Sequence, residues 1–397
     1  MTFLQDYKWV ILFYSAILLL VFIFRGKFDV QHKFLAMYRT KIGLGLMDRL
    51  GTKHSETIKL LGYIGIGAGY VGLFMILYYM IKNLFTLIMI PTATSAVSLV
   101  IPGVKIPGSP VTIPLITGWI ALFLVIVVHE FSHGVVARAH KIKVNSSGIF
   151  FMGPLMGAFV EPDEKELRKQ QDTTQYSIYA AGPFSNMLLA LSCILLLTYA
   201  FTPALNAMEN QVGVELVGVT DGYSAAASGL ASGMVITAVN SVSVVNFEQF
   251  TNEVKRLRPD ETVSLTANGT VYSIVTNASP SDPKQGYLGV MTSNRAKTEL
   301  KNDSIYFKIL SIILKWFAEL VGVTGLLSLG IGLANLLPLG PVDGGRMLQV
   351  TLQKIKGKEK GDNLWKRISV ATLMLMAINL FWPALRWILN LLGGIFK

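Results

Sequence analysis

From Val111 to Val128 the chain carries no Asp, Glu, Lys or Arg, and this run ends in His129-Glu130-Phe131-Ser132-His133. A helix of about 20 apolar residues crosses a bilayer core, so the run is long enough to be buried in lipid. A carboxylate at such a depth costs about 3 kcal/mol or more unless it finds partners. The default reading of the two histidines and the glutamate is therefore an intramembrane functional site.

Each helical residue advances about 100°, so His129 and His133 project from one face a turn apart and can share one metal ion. Glu130 stands beside that stripe, where the general base of an H-E-x-x-H metallohydrolase deprotonates a metal-bound water. Such a site needs a third protein ligand, which the motif does not supply. His140 would lie about 10 Å further along the axis, too far to share the ion, and reads as interfacial.

The surrounding sequence agrees with a membrane setting. It is 52% hydrophobic and 15% charged, and its net charge of +11 falls mostly in short loops between apolar runs. That is a positive-inside pattern rather than a nucleic-acid-binding surface. The single cysteine, Cys193, rules out an intrachain disulfide and reads as a packed small hydrophobe.

Eight Lys and Arg lie between residues 25 and 59, whereas only Lys8 precedes the first apolar run, Trp9 to Phe24. This asymmetry places the N-terminus outside and the loop in the cytoplasm, with the first run kept as an anchor. A second span, Leu60 to Ile81, carries Gly62, Gly65, Gly67, Gly69 and Gly72, which permit close helix approach. Residues 82–110, with Pro91, Pro102, Pro107 and Pro110, read as an irregular outer loop. The third span then runs inward to Arg138, Lys141 and Lys143, and His133 lies about 8 Å inside that edge.

Beyond it, Gly148 to Val160 is apolar but too short to span, and Gly153-Pro154 signals a turn. A re-entrant β-hairpin there could offer an edge to an extended substrate; an interfacial packing loop is the competing reading. Glu161-Pro162-Asp163-Glu164 reads as a solvated helix start, with a gate as the alternative. A fourth span, Tyr176 to Phe201, carries Gly182-Pro183-Phe184-Ser185-Asn186, and its asparagine needs a partner from another helix or from a substrate.

Residues 212–292 differ in kind, with β-branched alternation and no long apolar run. Ser224 to Leu230, Gly233 to Ile236, Val239-Asn240 and the helical Phe247 to Leu257 look like a single PDZ domain, although Met234 replaces the acidic residue common at its place. Gly286-Tyr287-Leu288-Gly289-Val290 resembles the carboxylate-binding strand of circularly permuted bacterial-type PDZ domains, which implies capture of peptide C-termini by strand addition. A spacer that only sieves large substrates is the other reading. A fifth apolar segment from near Trp316 ends in Asn335-Leu336-Leu337-Pro338 and Val342-Asp343-Gly344-Gly345-Arg346. The lysines that follow put Asp343 near the depth of His133, a candidate third ligand, though an Asp at this place could also cap the next helix. The last span, Ile368 to Leu392, runs outward.

Taken together, these elements resemble the site-2 protease family of intramembrane zinc metalloproteases. His129 to His133 matches its H-E-x-x-H, Gly182 to Asn186 its G-x-x-x-N, and Asn335 to Pro338 with Asp343-Gly344 its N-x-x-P and D-G elements, with Val342 replacing the usual leucine. Gly157 to Pro162 resembles archaeal-type members and points to a prokaryotic plasma membrane. The resemblance implies a polytopic α-helical membrane protein of about six transmembrane helices with an inserted α+β PDZ domain. Its parts are residues 1–110, a first protease part 111–201, the PDZ domain 212–292, a second protease part 305–350, and a cytoplasmic loop with the last span, 351–397.

The implied cofactor is one Zn2+ per chain on His129, His133 and Asp343, with Glu130 as base and Asn186 and Asn335 orienting substrate or stabilising an oxyanion. The implied partners are transmembrane protein substrates and the lipid bilayer, with the active site near the cytoplasmic face and the PDZ domain outside. An inactive or transport-type metal-binding protein that captures peptides is the alternative, and a different lineage with Glu161 as third ligand is a second. Glu130 argues against the first of these, since a base is not needed merely to hold metal.

Overall fold

The computed structural model describes residues 7–31, 35–90, 93, 95, 100–105, 111–153, 155–280 and 282–395. Pro91, Pro107, Pro110 and Pro154 lie outside the described residues. Two compact units emerge. One is Thr198–Trp316, and the other comprises the residues up to Leu197 and from Phe317 onward.

Among the described residues five helices are long and apolar enough to cross a membrane: Ser55–Met89, Leu115–Ala139, Asp172–Met208, Ile305–Asn335 and Lys358–Trp382. The helix Lys8–Ile23 (α1) is apolar but shorter. After it come strands Asp29–Gln31 (β1) and Leu35–Thr40 (β2), then helices Leu44–Lys53 (α2) and Ser55–Met89 (α3). The second span thus continues to Met89, where the sequence suggests a loop from residue 82. No Pro or Gly interrupts Lys82 to Met89, so nothing there stops helix propagation.

Helix Leu115–Ala139 (α4) leads into strands Val144–Met152 (β3) and Leu155–Pro162 (β4), an antiparallel hairpin over the segment that is apolar yet too short to span. β2 pairs with β3 from Leu35↔Met152 to Thr40↔Ser147, giving a four-stranded sheet in the order β1-β2-β3-β4. β4 is an edge strand. Asp163 caps the short turn of helix Glu164–Leu167 by accepting from the Lys165 and Glu166 amides.

Helix Asp172–Leu196 (α5) packs along both α3 and α4. Gly62, Gly65, Gly69 and Gly72 form one buried stripe on α3, and a Cβ at any of them would press on Ser177, Phe184, Met347 or Leu336. The small residues set the helix spacing. Val135 and Val136 of α4 meet Ile178 and Ala181 of α5 around Met47 of α2.

The unit Thr198–Trp316 is built on strands Glu209–Val219 (β5) and Val235–Val239 (β6), helix Phe247–Val254 (α6), and strands Thr262–Ala267 (β7), Thr270–Val275 (β8) and Val290–Leu300 (β9). Its main sheet has the order β9-β5-β6-β7-β8, so β9 is an edge. Val214, Leu216, Ile236, Val263 and Leu265 are fully buried in its core with Phe250 of α6.

Helix Ile305–Asn335 (α7) begins well before Trp316, where the apolar run becomes obvious in the sequence. It is followed by Asp343–Lys356 (α8) and Lys358–Ile395 (α9), separated only by Gly357 at φ +78. The basic stretch that reads as a cytoplasmic loop is thus mostly helical.

Candidate metal centre

Residues from two distant parts of the chain meet at the end of α4. His129 is 5% exposed, and its Nε2 lies 3.2 Å from His133 Nε2 and 3.1 Å from Asp343 Oδ2. His133 Nε2 lies 3.4 Å from the same carboxylate oxygen. Four ligands placed tetrahedrally at about 2.0–2.1 Å from a zinc ion stand about 3.3–3.4 Å apart. The three donor atoms have nearly that spacing, and the two imidazoles and one carboxylate are an ordinary zinc donor set. Among the described residues this is the one cluster of three such groups able to hold a metal.

Each donor is oriented from behind. His133 Nδ1 donates to the Ile178 carbonyl at 2.7 Å, which fixes its proton there and leaves the Nε2 lone pair facing the other donors. His129 Nδ1 lies 3.0 Å from the side-chain amide of Asn186, which is fully buried. The amide nitrogen, Nδ2, is the atom that faces Nδ1, and Asn186 Oδ1 has no partner among the described residues. Turning that edge of the amide to His129 satisfies Oδ1 with an Nδ1 proton and frees Nε2. The sequence offers Asn186 either another helix or a substrate as its partner; in the structure it faces His129 of α4, against which α5 packs.

Gly182, one turn before Asn186, explains the other half of that motif. A Cβ at Gly182 would run into the Nε2 atoms of both His129 and His133, so only glycine leaves the space between the donors open. Asp343 is delivered by a comparable device. A Cβ at Gly344 would collide with the Leu336 backbone, and this close return of the chain after α7 brings the start of α8 to the histidines. No side chain caps that helix, so Asp343 is committed to His129 and His133 rather than to capping.

Glu130 Oε2 accepts the outward-facing amide of Val160 on β4 at 3.2 Å. Glu130 therefore sits between the histidines and the free edge of the sheet. Asn335, at the end of α7, lines the same cavity of about 300 Å³ as His129, Glu130, His133 and Asp343, together with Arg346 and Tyr179. Glu161 is engaged elsewhere. Its carboxylate takes Arg39 and Ser146, and the Arg39 guanidinium holds it below the usual carboxylate range. That removes it as a rival third ligand. His140, too, is apart, with Nε2 3.4 Å from Ser177 Oγ and its basicity lowered by burial.

In the other unit, Gly286–Tyr287 forms a short strand against Asn277–Ala278, and the Tyr287 ring stacks edge-on to Tyr223. Leu288 is a core residue at 2% exposure, and Gly289, at φ +74, accepts the Thr220 amide at 2.7 Å. These residues lead straight into the edge strand β9.

A buried pair of histidines and an aspartate, with a carboxylate beside them and apolar helices around them, defines a metal-hydrolase type of centre set in a membrane protein. Comparison with known sequences gives the family. Residues 117–376 match the profile of peptidase family M50, and the chain belongs to that family. It is 30% identical over 313 residues to an uncharacterized protein of Methanocaldococcus jannaschii, an alignment covering 77% of this chain and 74% of that one. It is 28% identical over 245 residues to zinc metalloprotease RasP of Shouchella clausii, covering 51% of this chain and 57% of RasP. It is 24% identical over 230 residues to the membrane-bound transcription factor site-2 protease homolog of Arabidopsis thaliana, covering 56% of this chain and 42% of that protein. Membership carries Zn2+ with it as the metal, and His129, His133 and Asp343 form a possible site for the ion.

Proposed function

We propose that this chain is an intramembrane zinc metalloprotease that hydrolyses peptide bonds within or next to the transmembrane helices of other membrane proteins. The observation that carries the proposal is the meeting of His129, His133 and Asp343 within 3.4 Å, with Glu130 alongside, among helices apolar enough to cross a membrane. Zinc held by those three residues supplies a water of lowered pKa and an electrophile for the peptide carbonyl. Glu130, steadied by the Val160 amide, is the carboxylate placed to take a proton from the attacking water and would return it to the leaving amide nitrogen. Asn335 faces the cleft and orients the substrate backbone. Asn186 acts through His129 by holding its imidazole in register.

A transmembrane helix hides its carbonyls in its own hydrogen bonds, so a substrate must unwind before it reacts. The free edge of β4 beside Glu130 offers an unwound segment backbone partners. The charge asymmetry of the loops supports an outer N-terminus and a centre near the cytoplasmic face, from which a cytoplasmic fragment would be released, and the archaeal-type segment Gly157 to Pro162 supports a prokaryotic plasma membrane. The strand order and edge strand of the unit Thr198–Trp316 support a PDZ domain outside the membrane that admits or captures peptide ends.

The test is cleavage of tagged single-pass membrane proteins by the purified chain and by Glu130→Gln. The variant is expected to retain zinc and to lose cleavage by at least about 100-fold, the scale of a general base. Undiminished cleavage by Glu130→Gln would overturn the assignment.

A further inference from the structure

Glu130 and Val160 line two cavities of different character. One is the polar cleft that holds His129, His133, Asp343 and Arg346. The other, of about 330 Å³, is walled by Met47, Val127, Phe131, Ile149, Ala158 and Phe159. That volume falls at the lower end of the range of about 300–1,000 Å³ that ligand pockets occupy. Two of its polar lining residues already have partners: Thr40 Oγ1 bonds to the Ser147 carbonyl at 3.2 Å, and Ser147 Oγ bonds to the Ile42 carbonyl at 2.6 Å. Apart from Glu130 and the exposed Tyr38, the chamber offers an occupant only apolar contact.

The chamber has a second apolar cavity as a neighbour. Phe123 lines both it and a larger groove of about 540 Å³, whose walls are apolar side chains of α1, α4 and the β3–β4 hairpin together with Phe28. The reacting peptide bond has to lie against Glu130, and consecutive Cα atoms are about 3.8 Å apart. A side chain entering a cavity that Glu130 itself lines thus belongs to a residue at the cut or its immediate neighbour.

We infer that this chamber is a specificity pocket that receives one large apolar side chain, leucine or phenylalanine, from a residue flanking the scissile bond. The inference rests on the protease reading. It assigns the selectivity of the site to residues of α2, β2 and the hairpin, outside the metal-binding motifs. Ile149 and Ala158 are directly opposed in the β3–β4 ladder, so they share one face and set the width of the pocket between them.

The experiment uses the full chain in detergent and a tagged single-pass substrate that it cuts. Each of the four residues around the cut is changed in turn to Ala, Leu, Phe or Lys. At one position the wild type is expected to cut the Leu and Phe forms at least about tenfold faster than the Ala and Lys forms, the scale on which apolar pockets discriminate. Ala158→Leu, which fills the pocket, should shift the preference to Ala at that position, and Ile149→Ala, which widens it, should favour Phe over Leu. Zinc content measured for both variants separates a changed pocket from a damaged fold. The same order of rates in all three enzymes, with zinc retained, would overturn the inference. A wild type that holds zinc yet cuts none of the tagged single-pass proteins from which such a series is built would overturn the protease reading and this one with it.

Discussion

The two units of this chain bury polar groups on opposite terms. In Thr198–Trp316 the core is Val214, Leu216, Ile236, Val239, Val263, Leu265 and Ile274, all within 1% of complete burial. The polar groups inside it are chiefly backbone, met by the sheet ladder, and buried Thr276 bonds to the carbonyls of Arg258 and Glu261. In the membrane-helix unit, polar side chains themselves go inside: His129, Ser177, Asn186, Ser328 and Asn379 are at most 5% exposed. They satisfy one another or free carbonyls, as Ser328 does with Asn186 O at 2.8 Å and Asn83 with Asn379 at 2.8 Å. Among the described residues of the first unit the buried side-chain polar groups are a few hydroxyls such as Thr276, and no ionisable side chain is buried. The second unit concentrates buried side-chain chemistry where α4, α5 and α8 meet, and burial of this kind is costly enough that its placement is informative.

If that contrast is right, small changes near the metal centre should act on metal binding, and large changes in the other core should not. Gly182→Ala is expected to have the largest effect, because its methyl group falls on both Nε2 atoms. Zinc affinity, measured by competition with a chelator, should drop by more than about 100-fold, beyond the usual cost of losing a supporting hydrogen bond. Unchanged affinity would mean that the helices part easily at this point and that the motif glycine has another purpose.

Asn186→Ala removes the support behind His129 while leaving all three donors in place. It should weaken zinc by about 10–100-fold, with cleavage restored at saturating zinc. A variant that binds zinc normally yet fails to cleave would assign Asn186 to the substrate, the other of the two roles the sequence offers. Leu265→Ala tests the other side of the comparison. It should destabilise the unit Thr198–Trp316 by about 2–5 kcal/mol, read as faster proteolysis within that unit, while zinc content stays the same. Loss of zinc in Leu265→Ala would erase the distinction between the two units.

Much of this centre is legible in the sequence, for reasons that can be named. His129 and His133 are four apart in an uninterrupted apolar run, so helix geometry alone puts them together. Asp343 becomes a candidate from its depth and its D-G context, but only the fold shows the close return at Gly344 that delivers it. Gly182 is visible as a motif letter, whereas its meaning lies in a missing Cβ that must be seen against two side chains from another helix. β1 and β2 are not legible at all. Asp29–Gln31 and Leu35–Thr40 are short stretches flanked by basic residues, and their strand character comes from pairing, β2 with β3 and β1 with β2, a tertiary effect that outweighs local propensity. The extension of the second span to Met89 is missed for the opposite reason, since Lys82 and the prolines beyond suggest an end that the intervening apolar residues do not enforce.

The central claim is that one metal is shared between two helices whose ligands lie more than two hundred residues apart, His129 and His133 on the apolar α4 and Asp343 at the start of α8. The most direct measurement is zinc bound per chain in purified wild type and in Asp343→Ala, each washed with a weak chelator. The account predicts one zinc per wild-type chain and nearly none in the variant, because two histidines alone leave the ion under-coordinated. Full zinc occupancy in Asp343→Ala would contradict it and require a third ligand from another part of the molecule.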